Sequence, residues 1–319
     1  MTAAFPLAVC TFKGLQNLPI VAARQQGFFA ARGLNVEILY TSGSIHQLVM
    51  LVQGKCQLVQ TAPDNVINSN GNPLAFGLDP TVMPSIRLLM GGSTGPLSLY
   101  AQPAMQRFAD LRGAVLGVDN PGSGFALVLR DMLARNGLEL DRDYRFVVAG
   151  GTSARLEALR DGAVAATLLY LPFDLMAASQ HFHRLAISVD YYPAYASLAT
   201  AGTRDWVEGH AESVIGYIVA LRQALRWIGD PANGGEVQRL IVEELAAEMD
   251  ASLAARAYEA FIDPVIGYGG SGRLDEMGLQ QVIDLRARYL LQGDRLGTAK
   301  EYQDLRWYEE ASLKMDLPK

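Results

Sequence analysis

Cysteine and histidine are scarce in this sequence, with 2 and 4 residues among 319. Structural metal sites need several such ligands at close, regular spacing, and the sequence offers no set of this kind. His181 and His183 are the nearest approach to a pair, but two residues apart on a predicted helix they face different directions. We therefore expect surface histidines, no metal site and no cofactor.

The two cysteines, Cys10 and Cys56, are predicted to be free and mostly buried. Cys10 lies late in the first predicted strand, and Cys56 lies at the start of another. In a parallel sheet these are opposite strand ends, about 13 Å apart. A disulfide needs Cα atoms within about 7 Å, so this separation argues against one.

Charge is also sparse, and no hydrophobic run is long enough to span a membrane. The charged content of 19% and hydrophobic content of 50% are typical of a folded globular chain. A net charge of −6 without a basic patch argues against a nucleic-acid partner, which requires a concentrated basic face. The longest apolar stretch, residues 163–179, is interrupted by Pro172 and Asp174.

The first six residues carry no lysine or arginine and lead directly into a strand pattern. The sequence therefore shows no export leader. Two explanations stay open at this point: a cytoplasmic protein, or one whose leader has been removed.

Common enzyme motifs fail on their context. Residues 91–95 match G-x-S-x-G, but a nucleophile elbow needs a helix directly after the serine, and here Pro96 and a predicted strand follow. There is no Walker A lysine, and Leu127 breaks a G-x-G-x-x-G pattern that would begin at Gly122. We expect a protein without catalytic residues.

What the sequence does contain is an internal duplication, in residues 18–64 and 124–174. Each copy has an apolar helix-like run ending in Gly-Leu, a β-rich run, a small polar turn, a short helix closed by glycine, another β-rich run and a Pro/Asp turn. The spacing between the copies is 104 residues from Gly33 to Gly137 and 108 residues from Gly54 to Gly162. The two segments therefore follow the same order of elements at nearly constant offset.

Alternating strand and helix signals at this spacing predict two α/β lobes with parallel-rich sheets, flanked by helices and separated by a cleft. We place the first lobe in residues 1–92 plus 193–319 and the second in 93–192. The glycines at 91, 92 and 95 are predicted to form the hinge, with positive φ as the source of their freedom. Beyond residue 203 the pattern is helical, and this tail is predicted to pack on the first lobe.

At this point the chain resembles a known family, the periplasmic substrate-binding proteins of ABC importers, in the nitrate, sulfonate and thiamine-pyrimidine-precursor branch. The resemblance covers roughly residues 6–200. It rests on residues 18–23, Gln26-Gly27-Phe28-Phe29, Gly33-Leu34-Asn35-Val36-Glu37, residues 54–61, Asp110-Leu111-Arg112-Gly113, Gly117-Val118 and Gly122-Ser123. It implies a periplasmic location, a type II periplasmic-binding fold, a small-molecule ligand held by hinge closure, and a membrane permease as partner. We expect a monomer.

The ligand site is predicted from the residues as well. In open α/β sheets ligands lie beyond the carboxyl ends of strands, where helix N-termini can hold an anion. Four polar, glycine-bearing loops occupy such positions, and aromatic residues flank them. The candidate ligand-binding residues are Phe12, Lys13, Gln16, Asn17, Thr41, Ser42, Gly43, Ser44, Thr61, Asp64, Asn65, Asn120, Gly122, Ser123, Gly124, Thr152, Ser153, Tyr170 and Phe173.

Several of these candidates also have a structural explanation. Ser44, Ser123 and Ser153 could be ordinary helix N-caps, and Asp64 could cap the next helix or bind an amine. Lys13 could pair with an anionic ligand or be a solvated loop lysine. The aromatic residues, with Tyr40 and Phe125 among them, could wall the cleft or fill the core.

Two functions remain open. The first is a non-catalytic solute-binding protein for a small organic ligand, anionic and possibly aromatic. The alternative is an enzyme on the same scaffold, a small decarboxylase or pyrimidine-precursor synthase, for which His46 could supply a base. Some eukaryotic members of the resembling family make a pyrimidine with a cysteine-rich motif, but Cys10 and Cys56 stand alone here.

Overall fold

The computed structural model describes residues 4–81, 85–93, 95–245, 249–263, 267–268, 270–290 and 296–316. The strands are β1 (Phe5–Phe12), β2 (Leu34–Thr41), β3 (Leu58–Thr61), β4 (Ile86–Ser93), β5 (Ser98–Ala101), β6 (Ala114–Val118), β7 (Tyr144–Val148), β8 (Ala166–Leu169), β9 (His183–Ile187) and β10 (Leu198–Thr203).

The α-helices alternate with these strands and then form the tail. They are α1 (Leu18–Gln25), α2 (Ser44–Val52), α3 (Pro63–Gly71), α4 (Gly124–Arg135), α5 (Thr152–Arg160), α6 (Phe173–Ser179), α7 (Arg204–Gly209), α8 (Ala211–Gly229), α9 (Gly234–Leu240), α10 (Ala251–Ile262), α11 (Glu276–Leu290), α12 (Ala299–Tyr302) and α13 (Arg306–Asp316).

Two five-stranded sheets organise the chain. The first has the order β2-β1-β3-β10-β4 and the second β7-β6-β8-β5-β9. We call each sheet with its flanking helices a lobe, so the predicted two-lobed α/β fold is confirmed. The exact lobe boundaries stay a prediction.

Both sheets are mixed, and the predicted parallel strands are three neighbours on one side of each sheet. Strands β1, β2 and β3 are parallel, as are β6, β7 and β8. Strand β10 runs antiparallel to β3 and β4, and β5 runs antiparallel to β8 and β9. The chain enters each of these two strands from the other lobe: β5 follows β4, and β10 follows β9, with no α-helix between them among the described residues. Each of them pairs with strands of the sheet that it enters and not with the strand directly before it in the chain.

The duplication seen in the sequence is a structural repeat. Gly33 and Gly137 both have left-handed backbone, with φ of 68° and 75°, and Gly54 and Gly162 have φ of 70° and 69°. A residue with a side chain is strained in this conformation, so the repeated glycines mark repeated turns. Equivalent loops therefore reach the same end of each sheet.

Close packing, rather than positive φ, requires glycine at the predicted hinge. Gly91 and Gly92 lie inside β4. A β-carbon at Gly91 would lie 2.8 Å from the carbonyl oxygen of Arg273, and one at Gly95 would lie 2.5 Å from Ser93 Oγ. None of these three glycines has a positive φ, so our prediction of left-handed hinge residues is wrong.

The tail packs on the first lobe, as predicted, and also reaches the second. Helix α8 packs on α1, and α13 packs on α8. Helix α10 contacts α6, and α11 contacts α4, both in the second lobe. The last third of the chain thus joins the two lobes. Among the helices that the structure describes, none is long and apolar enough to cross a membrane.

The cysteines and histidines differ in detail from expectation. Cys10 and Cys56 are free and buried, as predicted. Their predicted separation is wrong, because the two side chains are close enough to share a hydrogen bond. This hydrogen bond and burial raise the pKa of Cys56. His181 lies in a turn and His183 begins β9, so they do not share a helix. The described residues contain no group of metal-ligating side chains.

Candidate ligand-binding site

A cavity of about 80 Å³ lies between the lobes, at the carboxyl ends of the parallel strands. This is smaller than the roughly 300–1,000 Å³ of pockets for drug-sized ligands. Its walls are formed by Phe12, Gln16, Ser44, Gln60, Thr61, Ala62, Asn65, Gly95, Leu97, Asp119, Ser123, Gly124, Phe125, Gly151, Thr152, Arg155, Tyr170, Ser197, Leu198 and Tyr268. Both lobes and the tail contribute to the walls.

All four predicted loops reach this cavity. They contribute Gln16, Ser44, Ser123 with Gly124, and Thr152 with its neighbour Gly151. Helices α2, α4 and α5 begin at wall residues, so the unpaired amide groups of their first turns lie at this end of the sheets. The predicted residues on the walls are Phe12, Gln16, Ser44, Thr61, Asn65, Ser123, Gly124, Thr152 and Tyr170.

The other predicted residues do not line the cavity, and several have structural partners. Asn17 is buried and donates from Nδ2 to the Phe12 carbonyl at 2.7 Å. Thr41 Oγ1 donates to the Gly43 carbonyl at 3.0 Å. Lys13 is exposed. The remaining residues off the walls are Ser42, Gly43, Asp64, Asn120, Gly122, Ser153 and Phe173.

Asp64 neither lines the cavity nor caps a helix. It lies in the first turn of α3, whose N-cap is Ala62. Its carboxylate is buried and pairs with Arg286, with Oδ1 accepting from Nε at 2.6 Å. Because the carboxylate already has this partner, it is not available to an amine in the cavity.

The three serines differ in their roles. Ser123 is the N-cap of α4, and its Oγ accepts from the Ala126 amide at 3.3 Å. Ser44 and Ser153 are not caps. The N-cap of α2 is Gly43, directly before Ser44, and the N-cap of α5 is Gly151, two residues before Ser153. Ser153 is also exposed. Ser123 is therefore both a cap and a wall residue, and Ser44 is a wall residue alone.

Arg155 is the most important wall residue that the sequence analysis missed. It is 3% exposed, and it donates to the carbonyls of Gly150 and Leu168 and to Thr152 Oγ1 at 3.0 Å. Burial lowers the pKa of Arg155, and the nearby carboxylate of Asp119 opposes this shift. A buried cation at the wall favours a ligand that carries negative charge.

Asp119 was also missed, and it balances part of this charge. Its Oδ1 lies 4.0 Å from Arg155 Nη1 and accepts a hydrogen bond from Ser123 Oγ at 2.6 Å. The carboxylate is thereby held by two neighbours on the second-lobe wall. The cavity consequently offers a cation for an anionic group and a carboxylate for a donor group.

Aromatic side chains form one side of the cavity. Phe125 and Tyr170 meet edge to face with ring centres 6.1 Å apart. Burial raises the pKa of Tyr170, while hydrogen bonds with Thr152 and Gln16 lower it in part. Phe173 packs against Tyr170 behind the wall. These rings give the cavity an apolar face beside its polar loops.

One aromatic wall residue comes from the tail. Tyr268 stacks on Phe261, with ring centres 4.5 Å apart. Burial raises the pKa of Tyr268, so its hydroxyl stays protonated at the wall. The helical tail therefore takes part in the site as well as in joining the lobes.

Two further side chains define what the cavity can do. Gln16 lines the wall, but its Oε1 atom is buried and has no hydrogen-bond partner among the described residues. His46, the candidate base, is exposed and bonded through Nδ1 to Thr41 Oγ1 at 3.1 Å. It does not line the cavity. The walls therefore contain binding groups but not that histidine.

The family model described as NMT1/THI5 like matches residues 15–233, more than half of the chain. The chain belongs to the NMT1/THI5-like family. The matched region contains every described strand except β1 and all wall residues except Phe12 and Tyr268.

One curated protein is similar in sequence to most of this chain. The bicarbonate transport ATP-binding protein CmpC of Synechococcus elongatus is 24% identical over an alignment of 255 residues that covers 74% of this chain. The match covers 36% of CmpC, so the chain spans about a third of the length of this relative.

Solved structures share the fold. The periplasmic nitrate-binding protein NrtA from Synechocystis PCC 6803 has a TM-score of 0.85 at 14% identity, covering 99% of this chain and 90% of NrtA. The alkanesulfonate-binding protein SsuA from Xanthomonas axonopodis pv. citri, bound to MOPS, has a TM-score of 0.72 at 16% identity. The match covers 94% of this chain and 99% of SsuA.

Proposed function

We propose that this protein is the solute-binding component of an ABC importer and closes on a small anion. The observation that carries the proposal is the cavity between the lobes, where the beginnings of α2, α4 and α5 meet buried Arg155. Helix N-termini and a buried guanidinium both favour negative charge. The small volume favours a compact ligand.

The relatives support the same proposal. NrtA and SsuA are named for binding nitrate and alkanesulfonates, and CmpC is named for bicarbonate transport. All three solutes are small anions. We extend this class, a periplasmic location and a permease partner to the present protein as parts of the proposal.

A ligand screen tests the proposal. Thermal unfolding is measured with nitrate, bicarbonate, methanesulfonate, MOPS, acetate, benzoate and an aminopyrimidine, and hits are titrated by calorimetry. We expect stabilisation by one or more of the anions, because a ligand that binds the folded state raises its stability. Stabilisation by the aminopyrimidine alone would contradict the anion proposal.

Turnover is measured on the same hits. We expect saturable binding without product, because the walls hold binding groups and His46 lies outside them. Accumulation of product from a tight ligand would replace the transport proposal with the enzyme alternative.

A further inference from the structure

The two lobes touch beside the cavity, at Gly124 of α4 and Asp64 of α3. A β-carbon at Gly124 would lie 2.6 Å from the Asp64 β-carbon, closer than side chains pack. The lobes can therefore approach this closely because position 124 has no side chain. Any residue larger than glycine would push them apart.

One guanidinium joins the lobes at the same place. Arg286 of α11 donates to both carboxylate oxygens of Asp64, from Nε at 2.6 Å and from Nη2 at 2.7 Å. Nη2 also donates to the Gly122 carbonyl of the second lobe at 2.8 Å. The Arg286 and Asp64 side chains are 6% and 2% exposed, so solvent and salt screen the pair little.

Helix α11 is also fixed to the second lobe just beyond this arginine. Arg288 Nη1 and Tyr289 Oη donate to Asp131 Oδ1 of α4 at 2.6 and 2.7 Å. Tyr192 Oη donates to the other oxygen of Asp131 at 2.5 Å. Arg286 therefore lies on a helix that is bound to α4 of the second lobe, and its side chain pairs with Asp64 of α3 in the first lobe.

We propose that Arg286 is a latch that holds the second lobe against α3 and so shifts the equilibrium between open and closed lobes toward the closed state. It is a positioning residue, because it lies outside the cavity wall and acts through Asp64 and the Gly122 carbonyl. Loop residues Ser123 and Gly124, which follow Gly122, do line the wall. The proposal rests on the proposed function only in taking closure as the step that buries a ligand.

The test uses ligand-free protein, so it does not depend on knowing the solute. Spin labels are attached to cysteines introduced at Glu37 and Arg145, which are exposed on β2 and β7, whereas the two native cysteines are buried. Pulsed electron paramagnetic resonance then gives the distance between lobes. We expect Arg286→Lys and Gly124→Ala to lengthen the mean distance by more than about 2 Å, the scale of domain rearrangement.

A matched control is Arg306→Lys, because Arg306 pairs with Glu208 and Asp304 away from the lobe contact. It should leave the distance unchanged. If Arg286→Lys fails to fold, the double variant Asp64→Asn with Arg286→Gln decides, since it leaves no unpaired buried charge. The proposal is overturned if the distance between the lobes is unchanged in the folded Arg286 variants, even if their melting temperatures fall.

The two proposals fail separately. A ligand screen without any hit would count against the transport function and leave the distance measurement intact. Conversely, an unchanged distance together with normal ligand binding would reject the latch alone.

Discussion

In each lobe a side chain of one helix donates a hydrogen bond to a carbonyl of the strand that follows it, but this side chain is neutral in the first lobe and charged in the second. Gln47 of α2 donates to the Gln60 carbonyl at 2.9 Å, and Arg155 of α5 donates to the Leu168 carbonyl at 3.2 Å. Position 155 lies 108 residues after position 47, as does 168 after 60. The neutral side chain stays in the core, whereas the arginine reaches the cavity wall. The repeat thus keeps one fold in both lobes, and at this pair of equivalent positions it places a charge only in the second lobe.

The largest expected effect is on Arg155. Arg155→Gln makes the second lobe like the first and removes the buried charge, so anion affinity should fall about 10- to 150-fold, or roughly 1.5–3 kcal/mol. Calorimetric titration with the best anion measures it. The control is Arg160→Gln on the same helix, where the arginine is outside the wall. Equal affinity in both variants would mean that Arg155 is structural.

The equivalent glutamine should matter for stability instead. Gln47→Met removes the hydrogen bonds to the carbonyls of Cys10 and Gln60, and we expect the free energy of unfolding to fall by about 1–3 kcal/mol. Urea titration measures this loss, and exposed Gln53→Met is the control. A loss of anion affinity at unchanged stability would break the distinction between the lobes.

Ser123 should affect both properties. Ser123→Ala removes a wall hydroxyl and the cap of α4, so we expect affinity to fall about 5- to 30-fold and stability by about 1 kcal/mol. Calorimetry reports the first loss and melting of the ligand-free protein the second. A variant that melts lower but binds as tightly as wild type would show that Ser123 is only a cap.

A second pair of equivalent residues differs in charge balance. Asp64 pairs with Arg286, but Asp174 at the corresponding turn has no ion pair within 4 Å among the described residues, and burial raises its pKa to about 6. A raised carboxyl pKa means that the folded state binds the proton more tightly, so its contribution to stability is lost as pH rises from about 4 through 6. Asp174→Asn should therefore raise the melting temperature at pH about 8 and change little at pH about 4. An equal change at both pH values would contradict this.

The smallest effect is expected at Ser153. The side chain is exposed and off the wall, so Ser153→Ala should change stability and affinity by less than about 0.5 kcal/mol. The same titration and melting experiments apply. A loss as large as that of Ser123→Ala would mean that the cavity extends to this loop.

Much of the fold was predictable because the pattern of each repeat copy lies in one short, continuous segment of the sequence. Glycines at matching turns and alternating strand and helix patterns predicted two lobes and the four loops at the cavity. Arg155 could also have been found, since aligning the copies places it opposite Gln47. Each of these signals lies within a short segment of the chain.

The remaining features depend on contacts between distant segments. Asp64 is paired with a residue 222 positions away, and Tyr268 reaches the wall from the tail. The antiparallel position of β10 likewise depends on how the returning chain enters the first sheet. A local sequence pattern does not report such packing.

The position of β10 between β3 and β4 has a consequence for biosynthesis. Strands β5 to β9 form the second sheet from one continuous segment, whereas the first sheet lacks an inner strand until residues 198–203 have left the ribosome. At about 5–20 residues per second, that wait lasts on the order of 5 to 20 seconds after β4 is made. We expect the second lobe to fold first, while the earlier-made strands of the first lobe await their missing neighbour.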